Sequence, residues 1–281
     1  MNPSPGDIYS DAEAKMNSFG DAKAKYTAAY DLFKKAGNEY KKVRNWVRAG
    51  DSFRKAADCM LHLSNIPEAA DNAAESGRNY VKASNGLDKA IEAFNLAAHQ
   101  YTECGRSIDS CKIFQEAGKL FDAKRPEVAI DFHKQASDLL KAQNREIDYF
   151  KEEKAIGDLL VKLSRYPDAN KHFTKLGVDC VQAGDIPTAV ECCMKGFFSA
   201  LIIPDEILAM SSRDAISQGV TNWEEIPDII FITTILHELR AKHYERLKTI
   251  IDDYSGSHPV DRSLKALFTA LIASHQLKTH I

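Results

Sequence analysis

A repeat of about twenty residues constrains the fold of this chain more than any other feature of its sequence. The repeat is clearest where a proline follows Ile66, Arg125, Tyr166 and Ile186. Successive starts fall near residues 67, 87, 107, 126, 147, 167 and 187, in steps of 19 to 21 residues. Proline suits the first turn of a helix, because the N–H that it lacks has no intrahelical partner there. Each step is therefore predicted to be one helix followed by a short turn.

The apolar residues inside each step have the spacing of one helix face. They recur three or four residues apart from Leu87 to Tyr101, and again from Val190 to Leu201. Glycine inside a helix costs about 1 kcal/mol relative to alanine. A regular glycine interval therefore indicates that neighbouring helices approach each other closely. Such glycines recur once per two helices, at Gly37, Gly77, Gly118 and Gly157.

These patterns predict an all-α protein of the TPR-like α-solenoid type, built from antiparallel helix hairpins with a C-terminal helical bundle. The regularity ends near residue 200, after which Pro204, Gly219 and Pro227 interrupt the chain. We therefore predict a helical-hairpin solenoid over residues 1–200 and a bundle over residues 201–281 that packs on it. About thirteen helices are expected, and the sequence contains no convincing alternating strand pattern.

Composition and motifs argue against several classes of function. Lysine and arginine number 37 against 40 acidic residues, and the net charge of −3 is unlike that of a duplex-DNA binder, so no nucleic-acid partner is expected. There is no glycine-rich phosphate loop, no zinc-protease spacing and no serine-hydrolase elbow. We predict a protein that is not an enzyme, with no catalytic residues, metal site or cofactor. Six scattered cysteines fit reduced thiols in the cytoplasm.

Basic residues are concentrated between Lys23 and Lys55. Lys41, Arg44 and Arg48 lie three and four residues apart, so they are interpreted as sharing one helix face. Such a stripe fits docking of an acidic partner or of acidic lipids. A solvated face of an amphipathic helix is the alternative interpretation.

The segment AKAKYTAAYDLFKKAGNEYKKVRNWVRAGDSFRKAADCMLHL resembles the soluble NSF attachment proteins, or SNAPs. The segments GRSIDSCKIFQEAGKLFD and RPEVAIDFHKQASDLLKA continue the resemblance, which runs from about residue 11 to residue 277 and fits both the alpha and the gamma branch. It implies a cytoplasmic adaptor, monomeric when free, that coats the assembled four-helix SNARE bundle. The adaptor would recruit the hexameric ATPase NSF, which disassembles the bundle after membrane fusion. A generic TPR-type scaffold for another helical or peptide ligand is the alternative function.

The resemblance also implies which cations face the SNARE bundle. It places them at Arg106 and Lys112 in GRSIDSCK, and at Lys151. Lys195 is the base nearest to a further lysine cluster of the family, so a weaker or differently tuned contact is expected there. We add Lys41, Arg44 and Arg48 to the expected SNARE-binding set. Lys112 is predicted to face away from an apolar stripe formed by Ile108, Cys111, Phe114, Ala117 and Phe121.

Two further contacts follow from the resemblance. Alpha-type members insert an apolar loop into lipid, and its counterpart here spans Met16 to Gly20, with Met16 and Phe19 as its large apolar residues. One phenylalanine buries too little apolar area for firm anchoring, so weak peripheral membrane contact is expected. Contact with NSF is expected in the C-terminal region, at Leu277 and Ile281. Family tails are acidic and Leu277 to Ile281 is not, so NSF binding is expected without full stimulation.

Overall fold

The computed structural model describes residues 3–276 of the chain. Over these residues it contains fourteen α-helices, one short 3-10 helix at Trp223–Glu225 and no strand. The first seven helices are α1 (Pro5–Met16), α2 (Ala22–Lys42), α3 (Trp46–His62), α4 (Ile66–Tyr80), α5 (Leu87–Glu103), α6 (Ser107–Phe121) and α7 (Pro126–Ala142). The others are α8 (Glu146–Lys162), α9 (Tyr166–Gln182), α10 (Ile186–Ile202), α11 (Glu206–Ser217), α12 (Pro227–Arg240), α13 (Tyr244–Ser257) and α14 (Arg262–Gln276).

The chain divides into two compact units, Met1–Gln143 and Asn144–Ile281. In the first unit each helix packs against the next one along the chain, from α1 to α7. In the second unit α10 packs against α9, α11, α12 and α14, and nearly all of its side chains from Ala189 to Leu201 are buried. The sequence analysis placed a different boundary near residue 200, where the twenty-residue repeat ends. That boundary remains a prediction.

Short turns explain the twenty-residue step. Helices α3 to α10 are 15 to 17 residues long, and most are joined by three residues whose middle member has a positive φ. Arg44 and Ser64 both have φ 56° in such turns, and Gly105 has φ 76°. The N–H of the following residue then donates to a carbonyl five residues back, as from Asn65 to Met60 at 2.9 Å. The repeat is thus a helix closed by a left-handed C-terminal turn.

The regularly spaced glycines lie where neighbouring helices approach closely. A methyl group added at any of the four would lie between 2.5 and 3.0 Å from a ring on the following helix. The rings therefore pack directly on the helix backbone, where a larger residue would collide with them. The pairs are Gly37 with Phe53, Gly77 with Phe94, Gly118 with His133, and Gly157 with Phe173. The predicted all-α class and its stacked helix hairpins are confirmed.

Candidate functional site

The start of α6 presents two cations held by one carboxylate. Asp109 accepts hydrogen bonds from Arg106 at 2.8 Å and from Lys112 at 3.1 Å. The Arg106 guanidinium also lies over the ring of Tyr101, 4.9 Å from its centre. The Lys112 side chain is 66% exposed. Two positive groups are thereby fixed side by side at the surface of the first unit.

The carboxylate that joins these cations is ionised at neutral pH. The hydrogen bond from Lys112 lowers the pKa of Asp109, and Arg106 lowers it further. The hydrogen bond that Arg106 donates to Asp109 raises the pKa of Arg106. With two cations and one anion the group carries one net positive charge, which favours an acidic partner.

The same arrangement recurs 39 residues later, at the start of α8 in the second unit. Asp148 accepts from Arg145 at 2.5 Å and from Lys151 at 3.2 Å, and the Lys151 side chain is 67% exposed. Hydrogen bonds from Lys151 and Arg145 lower the pKa of Asp148. Both segments read R-x-I-D-x-x-K, as Arg106–Lys112 and Arg145–Lys151. We call them the basic heptads.

The basic heptads include residues that the sequence analysis missed. Arg106, Lys112 and Lys151 were predicted on resemblance, but Arg145 and the two aspartates that orient the cations were not. The signal was present in the sequence, because the seven-residue pattern repeats at the interval of one helix hairpin. A search for repeated polar residues, beside the repeated apolar ones, finds it.

The predicted apolar stripe on α6 is wrong at its first member. Ile108 is 51% exposed, whereas Cys111, Ala117 and Phe121 are buried as predicted, and Phe114 is half-buried. Successive steps of three residues drift around a helix by about 60° each, because an α-helix turns about 100° per residue. Ile108 therefore lies roughly 140° from Phe121 around the axis. As predicted, Lys112 points away from the buried face.

Lys195 is not at the surface. Only 1% of its side chain is exposed, and its ammonium contacts Asp158 at 2.8 Å, Glu191 at 2.8 Å and Asp261 at 2.6 Å. These three carboxylates come from α8, from α10 and from the residue before α14, so the ion cluster joins three helices of the second unit. With three partners already bound, the Lys195 ammonium is not available to a SNARE bundle.

The interpretation that Lys41, Arg44 and Arg48 share a helix face is wrong. Lys41 lies in the last turn of α2 and pairs with Glu75 at 2.7 Å. Arg44 occupies the left-handed turn, and Arg48 lies on α3. Spacing of three and four residues places side chains on one face only within a continuous helix, and this chain reverses direction between Lys42 and Trp46.

The two residues of the expected membrane loop differ in exposure. Met16 ends α1 and is partly buried against the core cluster that includes Ala12 and Phe33. Phe19 lies in the loop before α2 and is fully exposed. Of these two residues, Phe19 is therefore the one available for lipid contact. Of the helices within residues 3–276, none is long and apolar enough to cross a membrane. Leu277 and Ile281 lie outside the described residues.

One protein-family model matches nearly the whole chain. The family model described as "Soluble NSF attachment protein, SNAP" matches residues 6–270, which include every helix from α2 to α13 and both basic heptads. The chain belongs to the soluble NSF attachment protein family. Within residues 3–276 of this SNAP-family chain, no group of three His, Cys, Asp or Glu side chains is placed to hold a metal ion.

Curated relatives of this SNAP-family chain come from three branches. It is 26% identical over 167 residues to an alpha-soluble NSF attachment protein of Vitis vinifera, covering 59% of this chain and 57% of that protein. It is 21% identical over 253 residues to a beta-type protein of Bos taurus, covering 88% and 83%. It is 23% identical over 180 residues to a gamma-type protein of Arabidopsis thaliana, covering 64% and 60%. The first and third matches span less than two thirds of those relatives.

Proposed function

We propose that this protein is an adaptor that binds assembled SNARE bundles and recruits the ATPase NSF to disassemble them in vesicle-mediated transport. One observation carries the proposal. This SNAP-family chain holds exposed, ion-paired cations at the start of two helices, namely Arg106, Lys112 and Lys151. SNARE bundles have acidic surfaces. Complementary charge of this kind sets the orientation and rate of encounter more than the final affinity.

The other basic residues take different parts in this proposal. Arg44 and Arg48 are exposed at and after the turn between α2 and α3, and we propose them as secondary contacts for the same bundle. Lys41 is partly occupied by its ion pair with Glu75, so its contribution is expected to be smaller. Lys195 is left out because it is buried. The proposed NSF contact is the C-terminal region that includes Leu277 and Ile281.

Co-sedimentation tests this function directly. The purified chain is mixed with an assembled SNARE bundle, and NSF with a non-hydrolysable nucleotide is then added. We expect the chain to sediment with the bundle, and NSF to sediment only when both are present. Unassembled SNARE chains serve as the control for recognition of the bundle. A chain that stays in solution with the bundle would make the generic TPR-type scaffold the better account.

Weak membrane contact is a separate expectation. Phe19 is the one large apolar side chain that its loop exposes, so liposome flotation without SNAREs should recover little of the chain. Phe19→Ser should change this recovery only slightly, and Ile207→Ser, at an exposed apolar residue outside this loop, serves as the matched control. Strong flotation that Phe19→Ser abolishes would contradict weak contact. We propose that the protein is cytoplasmic and reaches membranes chiefly through its SNARE partners.

A further inference from the structure

Each basic heptad exposes an isoleucine beside its two cations. Ile108 is 51% exposed and Ile147 is 73% exposed, each as the second residue of its helix. Ile108 and Lys112 lie four residues apart on α6, and Ile147 and Lys151 have the same spacing on α8, so each pair shares a helix face. The surface is therefore an aliphatic side chain beside two cations, and at Ile147 the exposed carboxylate of Glu146 adjoins it as well.

Single exposed apolar residues are common on proteins and need no explanation alone. The pattern here is more specific, because the equivalent positions on other helices carry different residues. Where α6 and α8 have isoleucine, α4 has Pro67 and α10 has Pro187. Where they have lysine, α4 has Asp71 and α10 has Glu191. Exposed isoleucine and exposed cations thus occur together in the two basic heptads and are replaced together on α4 and α10, whereas α9 keeps both cations, as Arg165 and Lys171, without an isoleucine.

The arginine–aspartate pair by itself has a simpler explanation. The start of α9 has the same pair, with Arg165 and Asp168 2.7 Å apart, and Pro167 stands where the basic heptads have isoleucine. The pair is therefore a recurring feature of helix starts, where an acidic residue in the first turn is favoured by the helix dipole. The isoleucine is the feature that sets the basic heptads apart from α9.

We propose that Ile108 and Ile147 are apolar anchors that bury against the SNARE bundle between the charge contacts made by Arg106, Lys112 and Lys151. This inference rests on the proposed function and adds a second kind of contact to it. The occupant is the acidic helical bundle of the proposed function, because carboxylates around an aliphatic surface complement exposed cations beside an exposed isoleucine. Each anchor acts in its own unit.

Salt distinguishes the two kinds of contact. Attraction between exposed charges is screened as the Debye length falls from about 8 Å at 0.15 M salt to about 3 Å at 1 M. Burial of an aliphatic side chain is not weakened by this screening. The charge contacts should therefore lose most of their effect in 1 M salt, and the isoleucine contacts should keep theirs.

The test measures affinity for the assembled bundle at about 0.15 M and about 1 M salt. We expect Ile108→Ser with Ile147→Ser to weaken binding about tenfold at both salt concentrations, as for two half-buried side chains. Ile108→Leu with Ile147→Leu should bind within about twofold of wild type, because leucine buries a similar area. Ile207→Ser is the matched control, since Ile207 is also an exposed second residue of its helix but follows two acids, Asp205 and Glu206.

The outcomes separate this inference from the proposed function. If wild type does not bind the bundle, the proposed function fails and the anchors fail with it. If wild type binds and the double serine variant binds within twofold of it, the anchors alone are wrong. A tenfold loss that disappears in 1 M salt also overturns them, since it would reflect charge. Matching circular dichroism melts show that the exposed substitutions leave the fold intact.

Discussion

Arg106→Glu combined with Lys112→Glu should abolish most binding to the SNARE bundle while leaving the fold intact. The two changes turn one net positive charge at the start of α6 into three net negative charges, because Asp109 remains between them. Attraction to an acidic partner becomes repulsion across the same contact. Exposed ion pairs contribute little to stability, so the thermal melt should change little. Affinity measured with the assembled bundle checks the prediction.

The matched control changes the charge equally at another helix start. Arg165→Glu with Lys171→Glu alters α9, where an arginine also pairs with an aspartate three residues later and no isoleucine is exposed. We expect this variant to bind nearly as well as wild type. Equal losses in the two double variants would point to overall charge and not to the basic heptad. Unchanged, salt-insensitive binding by the first variant would remove the case for a SNARE-facing surface on α6.

Lys195→Met should destabilise the second unit by about 3 kcal/mol, although it changes no predicted surface contact. Methionine keeps much of the apolar stem but leaves Asp158, Glu191 and Asp261 without their shared cation. Removing one partner of a buried ion pair costs about 3–5 kcal/mol, and the lower end applies because the carboxylates are 33% to 45% exposed and can be hydrated. Lys154 remains beside Glu191 and compensates part of the charge.

Urea unfolding followed by tryptophan fluorescence measures this effect. Trp223 lies in the second unit and is buried, whereas Trp46 lies in the first, so a Trp46→Phe background makes Trp223 the single reporter. Lys151→Met is the control, because Lys151 is exposed in the same unit and pairs with one carboxylate. It should cost less than about 1 kcal/mol. A cost below about 1 kcal/mol for Lys195→Met as well would contradict the importance of the buried cluster.

The raised pKa of Lys195 determines how the cost of Lys195→Met depends on pH. Burial alone would lower the pKa of Lys195, but attraction by Asp158 and Glu191, with hydrogen bonds to Asp158 and Asp261, outweighs burial and raises it above the ordinary lysine value of 10.5. The stabilisation linked to a raised lysine pKa is fully present below the pKa of the unfolded chain. It is lost as the pH rises through the pKa of the folded protein. The cost of Lys195→Met should therefore be the same at pH 7 and at pH 9, both below 10.5.

Local sequence patterns determined the helices and their hairpin packing. Proline before each apolar stripe predicted the starts of α4, α7, α9 and α10 to within one residue, because proline in a first turn acts through backbone chemistry alone. The glycine interval predicted close helix contacts for a similar reason, since only a missing Cβ admits a ring such as Phe173 against the backbone of α8. These signals depend on residues a few positions apart and do not require the tertiary fold.

The tertiary structure decided which charged and apolar side chains reach the surface. Lys195 looked like any other lysine in sequence, and it is buried because α8 and the start of α14 bring carboxylates to it from 37 and 66 positions away. Ile108 looked like a core residue, and it is exposed because its angle on α6 departs from the buried face. Arg44 does not share a helix face with Lys41 and Arg48, because it lies in the turn where the chain reverses direction. The spacing of residues in the sequence sets their angles around the axis of one helix. Burial depends on which other helices pack beside that helix.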